Sequence, residues 1–482
     1  ADARDTREGD TDTTDATDTT DTTLRDTGAV DVDASDTAPA PDTQASDVDA
    51  ADAVTLDTRD ADATDALDTS SAVDSADTSE ADTSEGDTGE GPDTLDTSSA
   101  SDASGDTAPD TWVEPVVLPP ADRSQLLAPP YLMWVTQHEV SVRWETKTAV
   151  IGSVEYGPSD ALGTTLVEPA ATKSHELRLT GLPADHLSSY RVIYGGGALP
   201  VRHFRTAPPD DTDTPLRFIV WGDNQDGPGT FSDLIPWMGD FDPRFAFSVG
   251  DCVQNGTRNE YRSQLFGPLD GFADEVPFLV AAGNHERYFD SSASLFDEYL
   301  SQPGNEHCFG WRYGGLFVLF LDTDLGLDGA AQQRACITEA LSSDAATSAQ
   351  IRAAAFHKPP RIEWWVGGRL AFNADMEAPF VRKELEPLLE SFDVDIVFNG
   401  HNHLYAYTPE TPGGITWVTT GGGGGSLDVR GLFDWWRVGT WPQIQTTIHE
   451  HHFLRATLEG AQLTVEAVDL QGTVLHSFTV AP

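Results

Sequence analysis

Short apolar runs that end on polar, metal-binding types of side chain are the main feature of the second half of the chain. The clearest run covers residues 245–249, is closed by Gly250 and is followed by Asp251. A continuous apolar run of this length, bounded by a turn residue, predicts a fully buried strand. Open α/β sheets bind their ligands beyond the carboxyl ends of the strands. Asp251 is therefore predicted to face a binding site.

Four other apolar runs end in the same way, on the side chains of Asp223, Asn284 with His285, His357, and His401 with His403. Taken alone, such an Asp is more often a helix cap, such an Asn a turn residue and such a His an ordinary packed side chain. Five endings of the same kind in one chain instead favour a shared metal site. Apart from His285, which can face the site without binding metal, these residues are our candidate ligands.

Between residues 126 and 208 the apolar pattern has a period of two. Val140, Val142 and Trp144 alternate with Ser141, Arg143 and Glu145, and glycine-rich turns separate the runs. This pattern predicts a β-sandwich of about 80 residues. It ends before a short linker at residues 210–215. We expect the sandwich to pack against the domain that follows.

From residue 215 to residue 482, apolar runs alternate with helical patterns, which predicts a second, α/β domain. Residues 316–321 form a run typical of a buried strand, and residues 453–480 alternate as closing strands should. Apolar residues at helical spacing predict a helix before the strand at 396–398; they are Val381, Leu385, Leu388, Leu389 and Phe392.

Residues 1–115 differ in composition from the rest of the chain. The formal charge of the protein is −52, and residues 1–110 alone hold 33 Asp or Glu against 4 Arg, which leaves −23 for the remainder. A segment so polar and charged cannot bury enough apolar surface to fold, so we predict a disordered, solvated stalk. The alternative of a calcium-binding segment lacks the DxDxDG loop.

The acidic charge also bears on partners and location. It disfavours nucleic acid and anionic membranes as partners, so any bound phosphate must be held locally. No apolar run is long enough for a transmembrane helix. No signal-type segment stands before the acidic tract, which suggests a processed or truncated start. We expect an exported, secreted or surface-anchored protein, with the stalk as a tether and a lipid upstream of Ala1 as one means of attachment.

The three cysteines, Cys252, Cys308 and Cys336, are an odd number, so at least one thiol lacks a partner within the chain. If the protein is exported, Cys308 and Cys336 are candidates for a disulfide. The alternative is that all three are small buried apolar side chains. The sequence leaves both readings open.

In chain order the five runs carry GDNQ, GDCVQNG, GNHE, FHKPP and GHNH. Their order and spacing resemble the metallophosphoesterase, or calcineurin-like, superfamily. The branch they resemble is that of purple acid phosphatases, in which a fibronectin-type-III-like domain precedes the catalytic one. The resemblance implies a two-sheet α/β sandwich that hydrolyses phosphate esters by means of a metal-bound hydroxide.

By the family pattern, Asp251 would bridge two transition-metal ions, for which iron, manganese and zinc are the candidates. Asp223 and His403 would complete one site, and the other would take Asn284, His357 and His401. Gln225 is an additional candidate ligand. It stands where the superfamily often has a His, which implies a weaker first site.

The resemblance also assigns catalytic roles, to Asp251 as the bridging ligand and to His285. It implies that His285 stabilises the transition state or protonates the leaving oxygen. Glu286 would orient His285. Gln254 replaces the Tyr of purple acid phosphatases, so the protein should not be purple.

Three further stretches are open to two readings each. Gly421–425 would either allow a close backbone approach to the site or form a flexible loop. Trp364 and Trp365 would either stack on a leaving group or pack under the rim. The histidines at 449, 451 and 452 would either add ligands or lie on a terminal strand.

The leading hypothesis is an acid phosphatase-like enzyme with a small phosphate ester as substrate. A phosphodiesterase or nucleotidase would use the same metal core. A surface-tethered binding protein on a degenerate phosphatase scaffold is the rival from another class, suggested by Gln225 and the stalk. Retention of both Asp251 and His285 disfavours that rival.

Overall fold

The computed structural model describes residues 117–328, 332–362, 380–428 and 441–482. The predicted stalk at 1–115 and the tryptophans 364 and 365 lie outside these ranges. The strands in chain order are β1 (Leu126–Met133), β2 (Val140–Val150), β3 (Ser153–Gly157), β4 (Thr164–Val167), β5 (Thr172–Leu179), β6 (Leu187–Tyr194), β7 (Gly197–Ala198), β8 (Arg202–Arg205), β9 (Leu216–Trp221), β10 (Phe245–Ser248), β11 (Phe278–Val280), β12 (Cys308–Tyr313), β13 (Leu316–Leu321), β14 (Ile351–Ala355), β15 (Ile396–Asn399), β16 (Tyr405–Thr408), β17 (Thr416–Thr420), β18 (Thr446–Ile448), β19 (His452–Glu459), β20 (Gln462–Asp469) and β21 (Val474–Val480).

The described helices are short. They are α1 (Pro228–Asp240), α2 (Arg258–Glu260), α3 (Ser294–Tyr299), α4 (Gln333–Leu341), α5 (Asp344–Thr347) and α6 (Glu386–Glu390), with 3₁₀ turns at Arg123–Gln125 and His285–Arg287 and π-helical turns at Tyr261–Phe266 and Val381–Leu385. The helix predicted around residues 381–392 is therefore present, divided between a π-helical turn and α6. No described helix has both the length and the apolar character to span a bilayer.

Two large sheets carry the predicted ligands. The first has nine strands in the order β21-β20-β19-β9-β10-β11-β1-β2-β5, and the second has seven in the order β12-β13-β14-β15-β17-β16-β18. β9, β10 and β11 are mutually parallel, as are β13, β14 and β15. The carboxyl ends of each parallel group consequently meet at one edge of their sheet.

Aromatic side chains pack the two sheets face to face. The ring centroids of Phe247 and Phe320 lie 5.7 Å apart, and those of Phe247 and Phe398 lie 5.5 Å apart. These side chains are almost fully buried because the parallel strands are covered on both faces. The predicted α/β architecture with two sheets is thus observed, and the buried strand predicted at residues 316–321 is β13.

The front segment, from β1 to β8, forms a β-structure that is not separate from the first sheet. β3, β4, β6, β7 and β8 make a sheet of their own, whereas β1, β2 and β5 extend the nine-stranded sheet, in which β1 pairs with β11. The sandwich predicted for residues 126–208 is accordingly built on the same sheet as the metal-ligand strands. Its assignment to the fibronectin type III class stays a prediction.

The polar face of β2 is buried. Ser141, Arg143 and Glu145 are all more than 90% buried. Arg262 donates two hydrogen bonds to Glu145, at 2.6 and 2.8 Å, and the Tyr299 hydroxyl donates a third at 2.9 Å. The period-two pattern of apolar residues predicted the strand β2. It could not predict that Arg262 covers the face of β2 that carries Glu145.

One of the two readings of the cysteines holds. Cys308 at the start of β12 and Cys336 in α4 form a disulfide, while Cys252 is a free, buried thiol. Disulfides of this kind persist mainly in proteins of oxidising compartments.

Candidate metal centre

The ends of five strands bring the predicted ligands together between the two sheets. Asp223 and Asp251 follow β9 and β10 of the first sheet, and His357 and His401 follow β14 and β15 of the second. The backbone N–H of His401 donates to both carboxylate oxygens of Asp223, at 2.9 and 3.0 Å. Nε2 of His357 lies 2.9 Å from Oδ2 of Asp251. Each sheet thus supplies half of one buried cluster.

The backbone is strained where it aims these side chains. Asp223, Asp251 and His401 have φ angles of 58°, 54° and 67°, in the left-handed region that non-glycine residues rarely adopt. Gly250 has a φ of 102°, and an added Cβ would lie 2.8 Å from the backbone nitrogen of Gly283. Such strain persists only where the surrounding structure holds it, and it concentrates at functional sites.

Two sets of candidate ligand atoms form within the cluster. One comprises Asp251, His357 and His401, the other comprises Asp223, Asp251 and His403, and within each set the atoms lie within 4.8 Å of one another. Asp251 is common to both sets and is 1% exposed. A carboxylate has two oxygens, so a residue in this position can contact two neighbouring cations at once.

Two amide side chains supply further oxygen atoms. Oδ1 of Asn284 and Oε1 of Gln225 are buried, and neither has a hydrogen-bond partner in the described part of the chain. Nδ2 of Asn284 donates to the Tyr288 hydroxyl at 2.9 Å, which leaves its oxygen for another contact. Nε2 of Gln225 lies 3.0 Å from Nε2 of His403. Buried polar atoms without partners are costly, so these oxygens fit a site that binds cations.

The electrostatics of the cluster are dominated by ion pairs. Burial alone would raise the pKa of Asp251, but the adjacent His357 outweighs it and lowers that pKa. Burial likewise disfavours the charged form of His357, yet Asp251 raises its pKa to about 10. Asp223 raises the pKa of His403 to about 9 against the same effect of burial. The lowered pKa of Asp251 keeps that carboxylate ionised at neutral pH, as a contact with a cation requires.

His285 lies beside the cluster and points one ring nitrogen at it. Nδ1 is 2.6 Å from the carbonyl oxygen of Gln254, and Nε2 is 3.7 Å from Oδ2 of Asp251. The backbone N–H of His285 donates to Oδ1 of the same Asp251 at 2.9 Å. Since a carbonyl only accepts, Nδ1 carries a proton, and Nε2 is the atom directed toward the site. The Gln254 backbone orients the ring; no ring contact from Glu286 occurs within the described residues.

Glu286 instead links the segment that follows β10 to the segment that follows β11, by accepting hydrogen bonds from the backbone of both. Its carboxylate accepts N–H hydrogen bonds from Asp251 at 3.1 Å, Cys252 at 2.7 Å and Gly283 at 2.8 Å. Burial, together with the nearby Asp251, raises the pKa of Glu286 to about 8, although the backbone N–H donors oppose that shift. Because both oxygens receive N–H donors, the geometry favours the ionised carboxylate. This role differs from the orienting contact with His285 that we expected.

We expect Glu286→Gln to destabilise the fold, because one N–H donor would then face the amide NH₂ instead of an oxygen. A buried donor left unsatisfied costs about 1–3 kcal/mol. Urea unfolding should show this loss in the free energy of unfolding. Glu339→Gln, at an exposed position on α4, is the matched control and should change little. Equal stability of Glu286→Gln and the wild type would contradict the proposed bridge.

The glycine-rich segment makes a close backbone approach, as one of its two readings required. A Cβ added at Gly421 would lie 2.1 Å from the carbonyl oxygen of Asn402, and one at Gly423 would lie 2.3 Å from that of Gly222. The Gly425 N–H donates to the carbonyl of Asp223 at 2.8 Å. Larger residues at these positions would force the glycine-rich segment away from the backbone next to Asp223 and His403.

Asp428 supports His403 and was not predicted. Its Oδ2 accepts from the backbone N–H of His403 at 2.9 Å and from Nδ2 of Asn402 at 2.8 Å. The sequence offered only its position just after the glycines. Of the three late histidines, His452 is buried at the start of β19, and Nδ1 of His451 lies 3.3 Å from the Gly422 carbonyl. Neither belongs to the two ligand sets.

A second charged cluster lies behind His285. His307 contacts Asp322 through Nδ1 at 3.0 Å and Asp297 through Nε2 at 3.2 Å, and Arg287 also pairs with Asp322. Burial disfavours the charged form of His307, but hydrogen bonds to Asp297 and Asp322 outweigh it and raise the pKa to about 9. This cluster fixes the segment that follows the GNHE motif.

The raised pKa of His307 predicts a pH-dependent contribution to stability. The contribution is fully present below the unfolded-state pKa of about 6.5 and is lost as the pH rises through about 9. Compared with the wild type, His307→Gln should lose about 2 kcal/mol of unfolding free energy at pH 6, a figure reduced for the exposure of Asp297. At pH 10 the two proteins should differ far less. A difference that does not change with pH would refute the assignment.

Comparison with known proteins agrees with this geometry. Residues 216–405 match the calcineurin-like phosphoesterase family. Purple acid phosphatase 15 of Arabidopsis thaliana is 25% identical over 291 residues, which cover 52% of this chain and 53% of that protein. Purple acid phosphatase 18 of the same plant is 26% identical over 315 residues, covering 60% of this chain and 67% of that protein. The chain thus spans about half the length of the first of these relatives.

A solved structure extends the similarity to the fold. A purple acid phosphatase from yellow lupin (Lupinus luteus) seeds aligns with a TM-score of 0.61 and 19% identity, over 73% of each chain. The family match covers all five motifs completely, so it includes every candidate ligand. Residues 216–405 thus match the calcineurin-like phosphoesterase family, and the chain is similar in sequence and in fold to purple acid phosphatases.

Proposed function

We propose that this protein hydrolyses phosphate esters at a centre of two transition-metal ions. The first ion would be held by Asp223, Asp251 and His403, with Gln225 as an additional ligand. The second would be held by Asp251, Asn284, His357 and His401. The observation that carries the proposal is that Asp251 belongs to both sets of converging ligand atoms.

The ligand chemistry supports iron, manganese or zinc. Imidazole nitrogens and carboxylate oxygens together suit these metals, whereas magnesium and calcium prefer oxygen alone. Two such ions supply positive charge for the phosphate and an activated water for the attack. The amide of Gln225 is a weaker ligand than imidazole, so the first site should release its metal more readily than the second.

The protein side chains would divide the remaining work. Nε2 of His285 faces Asp251, and the imidazolium form, which carries a proton on each ring nitrogen, could donate the Nε2 proton to the leaving oxygen of the ester while the Gln254 carbonyl holds the Nδ1 proton. Glu286 fixes the backbone at Asp251 relative to the backbone at Gly283, because it accepts a hydrogen bond from each. A phosphate monoanion or dianion would otherwise be repelled by so acidic a chain, so binding must depend on this local centre.

The disulfide between Cys308 and Cys336 supports export to an oxidising compartment. We propose an exported protein in which the front segment is the fibronectin-type-III-like domain at residues 126–208 and the catalytic domain is 215–482. Attachment to a cell surface through residues 1–115 remains a prediction.

Metal loading followed by a substrate panel tests the proposed function. After dialysis against manganese, iron or zinc, elemental analysis should find close to two ions per chain, and the Asp223 and His403 site should lose its ion first. The loaded protein should then be offered a phosphomonoester, a phosphodiester and a nucleotide. We expect hydrolysis of at least the phosphomonoester and no charge-transfer colour in the iron form, because Gln254 replaces the Tyr. No bound metal under any loading condition would disprove the proposal.

A further inference from the structure

A groove of about 680 Å³ runs beside β12, the strand at which the described second sheet ends. Five consecutive residues of β12, 308–312, line it. Because successive side chains of a strand point to opposite faces, a groove that touches all five residues must follow the edge of the strand. None of the described residues that line the groove is a candidate metal ligand, so the groove is distinct from the metal centre.

The edge of β12 carries backbone groups that β13 does not use. The N–H of Cys308 donates to Oδ1 of Asn305 at 2.9 Å, so it points away from β13. Backbone polar groups alternate sides along a strand, so Gly310 directs its N–H and C=O to this same open side. Gly310 is partly exposed and has no side chain to shield these groups. An edge of this kind can pair with another strand.

Covalent and hydrogen bonds fix both walls of the groove. On one wall, Nε1 of Trp311 donates to the carbonyl of Val135 at 2.9 Å, which holds the loop between β1 and β2 against the strand. On the other wall, the disulfide between Cys308 and Cys336 ties α4 to the strand. The groove is thus preformed, as binding sites usually are.

The walls of the groove carry more negative than positive charge. Glu339 is exposed on α4, and the Asp210 side chain is 46% exposed and accepts from Nε2 of Gln137 at 3.0 Å. Nε of Arg312 lies 3.8 Å from the Asp210 carboxylate, but the Arg312 side chain is only 7% exposed. Among the described residues that line the groove, two carboxylates therefore oppose one guanidinium.

We propose that this groove binds an extended, basic segment of another protein, which adds to the edge of β12 as a further strand. Hydrogen bonds between the two main chains at Gly310 would supply affinity. Side chains of an added strand point alternately to the two walls, so a Lys or Arg can meet Glu339 while its neighbours face Trp134. The charge of the walls disfavours acidic segments, including residues 1–115 of this chain.

Peptide binding to the full chain tests this proposal. The probe is a fluorescent, end-capped Lys-Val-Lys-Val-Lys peptide, and its anisotropy is followed at physiological salt. One modified version is N-methylated on the backbone of its first, third and fifth residues, and another on its second and fourth. All three peptides have the same charge, so general attraction to the acidic residues 1–115 is the same for each.

One methylated peptide should bind at least about tenfold more weakly than the unmodified peptide, because it loses the main-chain hydrogen bonds to β12. The other should bind like the unmodified peptide, since an added strand pairs with β12 along one of its edges only. Equal binding of all three peptides would indicate attraction by charge alone and would overturn the proposal. Absence of saturable binding by the unmodified peptide would overturn it as well.

A charge reversal locates the bound peptide. Glu339→Lys should weaken binding by about fivefold. Glu459→Lys, at an exposed position on β19, has the same net charge and should bind like the wild type. Equal affinity of the two variants would place the peptide outside the groove. Self-association of the protein alone that Glu339→Lys abolishes would instead assign the groove to a second copy of the chain, against the proposal.

Hydrogen exchange gives a direct measurement of strand pairing. The amide of Gly310 should exchange more slowly when the unmodified peptide is bound, because its N–H then donates to the added strand. An exchange rate at Gly310 that saturating peptide leaves unchanged would overturn pairing at this edge.

Discussion

Asp251→Asn should abolish hydrolysis and release both metal ions together. The substitution removes the carboxylate that both sets of candidate ligand atoms share, so neither ion keeps its full ligand set. Loss of several kcal/mol of transition-state stabilisation corresponds to a fall in kcat/KM of about 10,000-fold or more. Activity and metal content should be measured on the same preparation.

Asparagine is the informative replacement because Asp251 has a left-handed backbone. Its φ of 54° is tolerated by Asn but strained for Ala, so Asp251→Ala would combine ligand loss with backbone strain. Asp233→Asn, on the exposed face of α1, is the matched control and should keep both metal and activity. Retention of one full equivalent of metal by Asp251→Asn would contradict a bridging role.

His285→Ala should slow the reaction while leaving the metal content nearly intact. Nε2 of His285 lies 3.7 Å from the Asp251 carboxylate, and the residue belongs to neither ligand set. Removal of a general acid typically lowers turnover by about 100-fold to 10,000-fold. The measurement is kcat beside elemental analysis.

A substrate with a better leaving group separates this role from a structural one. The loss in kcat should be smallest for esters whose leaving oxygen needs no proton, such as 4-nitrophenyl phosphate, and larger for alkyl esters. His203→Ala, at a half-exposed position on β8, is the control for removing an imidazole. Equal metal loss in His285→Ala and Asp251→Asn would show that His285 is a ligand.

Five strand ends could be predicted because each combines an apolar run with a turn and a polar residue. The run before Asp251 became β10 and the run before His401 became β15, with carboxyl ends that meet as parallel strands require. Each strand end can be recognised from a few consecutive residues, without knowledge of contacts elsewhere in the chain. The assignment of ligands to particular ions came from resemblance, and it remains to be tested.

Other features depend on contacts between residues distant in sequence. Arg262 pairs with Glu145 from 117 positions away, so the alternation along β2 does not reveal this partner. Glu286 contacts three backbone N–H groups, two of them more than 30 positions away, and a motif does not specify such partners. The role of Asp428 depends on the turn around Asn402, for which no periodic signal exists.

The shared nine-stranded sheet makes the front segment a structural part of the region that holds the candidate ligands rather than an attached module. A protein shortened to start at residue 215 would lose β1 and expose the edge of β11, whose unpaired backbone groups could recruit strands from other molecules. It would also lose the Glu145 carboxylate that neutralises Arg262. The strand that precedes Asn284 is thus protected from aggregation by a segment that contributes no ligand, so selection for solubility alone would keep the two regions on one chain.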